Sequence, residues 1–369
     1  MIDRIKQYLE ERMLFVDELG MPVVSCAGSH FVQLQQTESP FYYFSGEYER
    51  INTACVALAP TGCAKTHPQK VIIKILPVPS SKMAMLTSAG LLGSKDQEGR
   101  IHEGLAKELG KGILIVNELS TLVAEKQKEE TQMLLNNVME ILSEGKFEKR
   151  LGALHLKVDT DMSLWGCIQL SNKRFDFTGG LARRAQFIFK RWTMKDLKKI
   201  VMNRHMFQGI KPDTLIAKEI MDFVNGRKIR EIQWDEKLLK WIENRSYTSN
   251  NQIKLEKAAI GLAFWYPYEA GSTCLNIRKD DTIIKHLSTI ERMWSDVCAD
   301  PEIVLSQSLI GSKGLRIEVF YKVFGDLGYT RIATSDMLKK MSIAGLISFD
   351  NDKIHNRDVT RMFEGQNGS

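Results

Sequence analysis

The sequence predicts an α/β protein: a parallel sheet sandwiched by helices, then a helical region, then a small mixed module toward the C-terminal end. Three observations predict it. Ala54 to Leu58 is a short, apolar, partly β-branched run of the kind that forms a strand covered on both faces, and it feeds directly into a loop. Gly112 to Val116 is a second such run, led by glycine and ended by Asn117 and Glu118. From Lys195 onward apolar residues recur at three- and four-residue spacing, which is the helical period.

Before the first sheet strand, Ile2 to Glu18 reads as an amphipathic helix, and Val23 to Cys26 and Phe31 to Gln35 read as strand-like runs. The loop after that strand is Ala59, Pro60, Thr61, Gly62, Cys63, Ala64, Lys65, Thr66. It carries alanine for both glycines of the phosphate-loop pattern G-x-x-x-x-G-K-[ST], yet Lys65 and Thr66 stand where that pattern requires them. In the pattern, backbone N–H groups cradle phosphates, the lysine reaches the β- and γ-phosphates, and the hydroxyl ligates Mg²⁺. These eight residues are the candidate nucleotide cradle, and Thr66 is a candidate metal ligand.

Glu118 is placed to polarise an attacking water, while Asn117 stands where a metal-holding aspartate is usual and keeps the oxygen without the charge. Trp165 to Asn172 is a third apolar run ending in a polar amide, so Asn172 is the candidate for orienting water near a γ-phosphate. Leu181 to Phe189 brings an arginine pair into a fourth run. Arg183 or Arg184 is the candidate to stabilise transition-state charge on a neighbouring subunit's nucleotide.

Composition sets the class. With 369 residues, 43% hydrophobic and 26% charged, the chain has ample material for more than one core. Lys plus Arg number 51 against 45 acidic residues, a net charge of +6, which is compatible with nucleic acid without requiring it. Six scattered cysteines with no C-x-x-C pair indicate neither a zinc site nor a disulfide framework, so reduced thiols and a cytoplasmic location are expected. No apolar run is long enough to span a bilayer, and the charged N-terminal segment is unlike a signal peptide, so no membrane partner is expected.

The motif set resembles the AAA+ ATPases and, among them, is most similar to the minichromosome maintenance (MCM) replicative helicases, over residues 45–200. Those enzymes carry Ala-Lys-Ser in the phosphate loop, which Ala64-Lys65-Thr66 resembles. Leu86 to Gly93 is similar to the stretch before the family's helix-2 insertion, Glu103 to Val116 to the approach to its acidic pair, and Val138-Met139-Glu140 to the helix before its DNA-contacting hairpin. The resemblance implies a short N-terminal segment (1–45), an AAA+ P-loop NTPase core (46–205), a helical lid (206–275), a C-terminal winged-helix domain (276–362) and a disordered tail (363–369). It implies ATP and Mg²⁺ as cofactors, DNA as a partner alongside other replication proteins, and a homo-oligomer in the form of a hexameric ring.

Position by position, the resemblance puts a pore hairpin at Gly145 to Val158, with Lys146, Lys149 and Arg150 to hold a DNA backbone and Lys149 foremost; the same charges also fit an ordinary turn between strands. Helical patterns follow at Lys195 to Phe207, Pro212 to Phe223, Trp234 to Arg245 and Asn251 to Tyr266. In the last, Ile253 stands at the family's phosphate-sensing arginine, so Lys254 is the candidate to supply that charge. Toward the C-terminus, Leu315 to Leu327 reads as a helix, Gly328 as a turn, Thr334 or Ser335 as the cap of a helix through Met341, and Leu346 to Phe349 with Lys353 to His355 as a hairpin. Lys339 and Lys340 are candidate DNA contacts; Asp350 and Asp352 at the hairpin tip oppose DNA, so docking of a protein stays open.

The departures are Ala59, Asn117, the absence of Phe-Asp after the arginine pair, and a segment before the core too short for the family's DNA-encircling N-terminal domain. The expectation is an ATP-hydrolysing DNA helicase or translocase of DNA replication. The alternatives are an ATP-switched origin-binding or loading factor, and a nucleotide-binding scaffold with weak hydrolysis.

Overall fold

The apolar runs pair into one parallel sheet. The computed structural model describes residues 1–35, 41–44, 47–98, 100–123, 129–151, 154–170, 181, 184–204, 213–246 and 248–357. Two helices, α1 (Ile2–Glu10) and α2 (Met21–Gln35), precede the sheet and are linked by a π-helical turn at Val16–Gly20. The strands are β1 (Ala54–Ala59), β2 (Ser80–Met83), β3 (Ile113–Val116), β4 (Ser163–Gln169) and β5 (Ala185–Phe189), all parallel, in the five-stranded order β5-β1-β4-β3-β2. Ala59 lies opposite Gln169, Ala54 opposite Ala185, and Val116 opposite both Gly166 and Met83.

Strand burial follows the cover that helices give each strand. β1, β3 and β5 are buried throughout because helices cover both faces, which is why they read as unbroken apolar runs. β2 forms an edge and alternates exposed with half-buried residues; Ser80, Ser81 and Lys82 blunt that edge and also hide the strand from an apolar-run reading.

The N-terminal region corrects the sequence reading. Val23 to Cys26 and Phe31 to Gln35 lie inside α2, not in strands. Met21 to Gln33 are all buried, so no polar face marks the helical period, and a short apolar run is ambiguous between strand and buried helix. The amphipathic pattern from Ile2 also breaks at Glu10, the end of α1.

Helices and hairpins fill the crossovers. α3 (His67–Ile73) follows β1. Between β2 and β3, the short helices Ser88–Leu92 and Leu105–Leu109 flank an antiparallel hairpin of Gly93–Lys95 and Ile101–Glu103. Between β3 and β4, α4 (Glu129–Glu144) leads into a second hairpin, Lys146–Leu151 with Leu154–Asp159.

After β5, Thr193 and Asp196 form a capping box that starts α5 (Met194–Met202). Helices Thr214–Gly226 and Glu236–Arg245 follow, then α6 (Ser249–Phe264) and α7 (Asp281–Cys298). Trp234 belongs to a strand, Glu231–Trp234, paired in parallel with Cys274–Ile277, and the helix starts only after Asp235, whose carboxylate accepts from the Lys237 amide. α6 packs on α2 through two glycines: a Cβ on Gly28 would overlap the Gly261 carbonyl, and one on Gly261 would overlap the Ser25 carbonyl. α7 covers β5, with Trp294 stacked on Phe187 at 5.7 Å.

The C-terminal module runs α8 (Pro301–Ile310), β6 (Leu315–Arg316), α9 (Ile317–Asp326), α10 (Arg331–Ile343), β7 (Ile347–Asp350) and β8 (Lys353–Asn356), with an antiparallel sheet in the order β6-β8-β7. Leu315 and Arg316 are strand because they pair with Ile354 and Lys353. The cap of α10 is Thr330, whose hydroxyl accepts from the Ala333 amide, and not Thr334 or Ser335, which lie within the helix. No described helix is long and apolar enough to cross a membrane.

Candidate functional site

The site forms where β1, β4 and β3 end together. The chain leaves β1 toward β2 on one side of the sheet, whereas the connection after β4 passes to β5 on the other. Such divergence opens a crevice at the carboxyl ends of the adjacent strands. The loop Ala59 to Thr66 occupies it.

The loop is anchored at its base and open at its crest. Ala59 and Pro60 are buried, and the Ala59 carbonyl accepts from the Leu170 amide at 3.2 Å. Cys63 is buried, its amide donating to the Pro60 carbonyl at 3.4 Å. Gly62 and Ala64 are exposed and both left-handed, with φ of +81° and +52°. At Ala64 this costs what the pattern's glycine would avoid, and such strain persists where the surroundings over-determine it. Among the described residues, the amides of Gly62, Ala64, Lys65 and Thr66 donate to no protein acceptor. Successive unpaired N–H groups in a turn make a concavity suited to an anion.

Lys65 is the hub. Its Nζ lies 3.1 Å from the Gln169 Oε1 and 3.7 Å from the Glu118 Oε2. Glu118 is itself oriented: its Oε1 accepts from the Ser120 amide at 2.9 Å and from the Ser120 hydroxyl. Asn117 precedes it, half-buried, its amide donating to the Met83 carbonyl at 3.0 Å. Thr66 starts α3 without a side-chain capping bond, which leaves its hydroxyl for another ligand. Beneath the loop, the buried Gln69 donates to the Cys55 and Gly166 carbonyls at 3.1 and 3.0 Å and locks α3 to β1 and β4.

Two thiols adjoin the loop. Burial pushes Cys63 and Cys167 each up to about 12, so both are neutral near pH 7 and offer no thiolate nucleophile. Two clefts flank it as well. One of about 350 Å³ is bounded by Phe15, Ala64, His67, Trp192 and Arg204, with Phe15 edge-on to Trp192 at 5.5 Å. The other, about 500 Å³, lies between Thr61 to Cys63, α5 and α9.

The structure therefore gathers Ala59 to Thr66, Asn117 and Glu118. It adds Gln169, which sequence reasoning passed over in favour of Asn172. Asn172 and Arg183 lie outside the described residues. The signal for Gln169 is register: it sits opposite Ala59, so it alone on β4 ends level with the loop. Lys254 is not brought to the loop. Its Nζ lies 2.9 Å from the centre of the Trp294 ring, because position 254 is on a buried side of α6 that meets α7 and β5.

Arg184 sits at the opposite edge of the sheet, immediately before β5, and its Nε donates to the Ser143 hydroxyl. A six-residue strand separates it from the loop, about 20 Å at ordinary strand rise. It therefore cannot serve its own loop. Lys146 is exposed at the base of the second hairpin, paired with Asp159. Lys149 and Arg150 lie on the same strand, opposite Leu156 and His155. Lys339 and Lys340 are exposed on α10, with Asp350 and Asp352 exposed at the β7–β8 turn. Among the described residues no cluster of three or more His, Cys, Asp or Glu is arranged to hold a metal. Compared with known proteins, the sequence matches no protein-family model and no curated protein.

Proposed function

We propose that this chain is an ATPase of the AAA+ type, resembling the MCM helicases, that acts on DNA as an oligomer. The observation that carries the reading is the Lys65 ammonium held between Gln169 and Glu118 at the ends of three adjacent parallel strands, over a loop with four unpaired amides. In this reading the loop amides and Lys65 hold the phosphates, and the cleft beside Phe15 and Trp192 receives the base. The Thr66 hydroxyl and Asn117 would hold Mg²⁺, whose chemistry is to neutralise phosphate charge; one or two protein oxygens plus phosphates are its usual ligands. Glu118, fixed by Ser120, takes a proton from the attacking water, and Gln169 orients the terminal phosphate.

Further support comes from topology. One hairpin interrupts the helical crossover before β3, and another lies between α4 and β4, the places where the resemblance implies a helix-2 insertion and a DNA-contacting hairpin. In this reading Arg184, at the edge remote from its own loop, serves a neighbour's nucleotide. From α9 to β8 the module has the helix, helix, hairpin order of a winged helix, with Lys339 and Lys340 on α10, the second of those two helices. Asn117 favours a second reading, an ATP-switched assembly or loading factor with slow turnover.

Glu118→Gln separates them. For a motor, DNA-stimulated hydrolysis falls about 100-fold while ATP binding persists. Turnover that survives this substitution removes Glu118 from the chemistry. ATP-dependent assembly without DNA-stimulated turnover in the unaltered protein leaves the switch.

A further inference from the structure

The C-terminal module touches the phosphate loop at the turn between α9 and α10. The Thr61 amide donates to the Leu327 carbonyl at 3.2 Å, from the turn between α9 and α10. The next residue, Gly328, has φ of +92° and approaches so closely that a Cβ there would lie 2.8 Å from the Thr61 hydroxyl and 3.7 Å from the Gln169 Nε2. The turn is well made: Gly328 and Tyr329 donate back to Gly325 and Phe324 at 3.0 and 2.9 Å, and Tyr329 is buried. Beside the contact the cleft of about 500 Å³ separates α9 from α5. Among the described residues, loop and module thus meet through a hydrogen bond and a close approach.

Gln169 links this contact to the site. Its amide oxygen accepts from Lys65, and its amide nitrogen lies 3.7 Å from where a Cβ on Gly328 would stand. A terminal phosphate engaged by Lys65 draws on the same ammonium that bonds the Gln169 amide oxygen, and the Gln169 amide nitrogen lies on the side of the turn.

We propose that the α9–α10 turn is a latch on the phosphate loop, and that the terminal phosphate of a nucleoside triphosphate competes with it, so that ATP releases the C-terminal module and ADP does not. The proposal rests on the nucleotide reading above. One neutral hydrogen bond sets its strength, so breaking the latch raises ATP affinity about fivefold.

The test uses the full chain with fluorescent ATP and ADP analogues and amide hydrogen exchange across residues 323–329. ATP speeds exchange in that segment, and ADP has little effect. Gly328→Ala binds ATP about fivefold more tightly. Gly345→Ala, at φ of +69° with nothing within 4 Å, carries the same backbone cost without the contact and leaves affinity unchanged. Binding of ATP with no faster exchange, or equal affinity in the two variants, overturns the latch alone. Failure of the unaltered protein to bind ATP overturns the nucleotide reading and the latch together. If Gly328→Ala does not fold, exchange in the unaltered protein decides.

Discussion

The carboxyl edge of the sheet and the wall where α7 covers β5 each hold a lysine, and the fold treats them oppositely. Lys65 is partly exposed, beside an amide oxygen at 3.1 Å and a carboxylate at 3.7 Å. Lys254 is 6% exposed, stacked on Trp294, and its ammonium finds no hydrogen-bond acceptor. One is positioned by polar partners. The other is desolvated against aromatic rings, and burial lowers its pKa well below the usual lysine range. The resemblance assigned phosphate contacts to both; the packing brings only Lys65 to the loop.

The same substitution at the two positions sharpens the contrast. Lys65→Met should weaken ATP binding about 100-fold, the scale of a lost charge-assisted phosphate contact, with little change in thermal stability. Equilibrium titration with a fluorescent ATP analogue reads it, and retained affinity would break the comparison. Lys254→Met should leave binding intact and raise stability by about 1 kcal/mol, because an unpaired buried charge is replaced by an apolar chain of similar length. A urea midpoint that falls would show the aromatic contact outweighing desolvation.

The pH dependence discriminates further. Lys254 has a folded pKa below its unfolded one, so between the two values the unfolded chain binds more protons. Stability contributed at this site is therefore lowest below the folded pKa and rises with pH toward the unfolded value. Urea midpoints measured across neutral to alkaline pH should rise less steeply in Lys254→Met than in the unaltered protein. Equal slopes would place the titration elsewhere. The smallest effect concerns the loop itself: Ala64→Gly relieves a left-handed alanine and should stabilise by about 0.5 kcal/mol, the strain relief less the entropy glycine adds to the unfolded chain. A lower melting temperature in that variant would show the methyl group packing against the loop.

Some of this was legible in the residues. Ala54 to Leu58, Gly112 to Val116 and the start of the run Trp165 to Asn172 announced buried parallel strands because central strands are covered on both faces and carry no polar alternation. Lys65, Thr66, Asn117 and Glu118 were legible because a strand end and the loop after it are contiguous in sequence. β2 was not, since an edge strand of serines and lysine has no apolar run. Nor was α2, since burial on every side erases the helical period.

What the sequence by itself determined is therefore local: strand, loop and lysine are neighbours along the chain, and their chemistry follows from residue type and spacing. Only the tertiary structure decided which distant groups join them. Gln169 rather than another amide meets Lys65 because β4 pairs with β1 in a register that ends level with the loop. Leu327 and Gly328 reach Thr61, and Lys254 points into Trp294, because helices distant in sequence pack at those places. Such contacts depend on register and packing, which no single stretch of residues encodes.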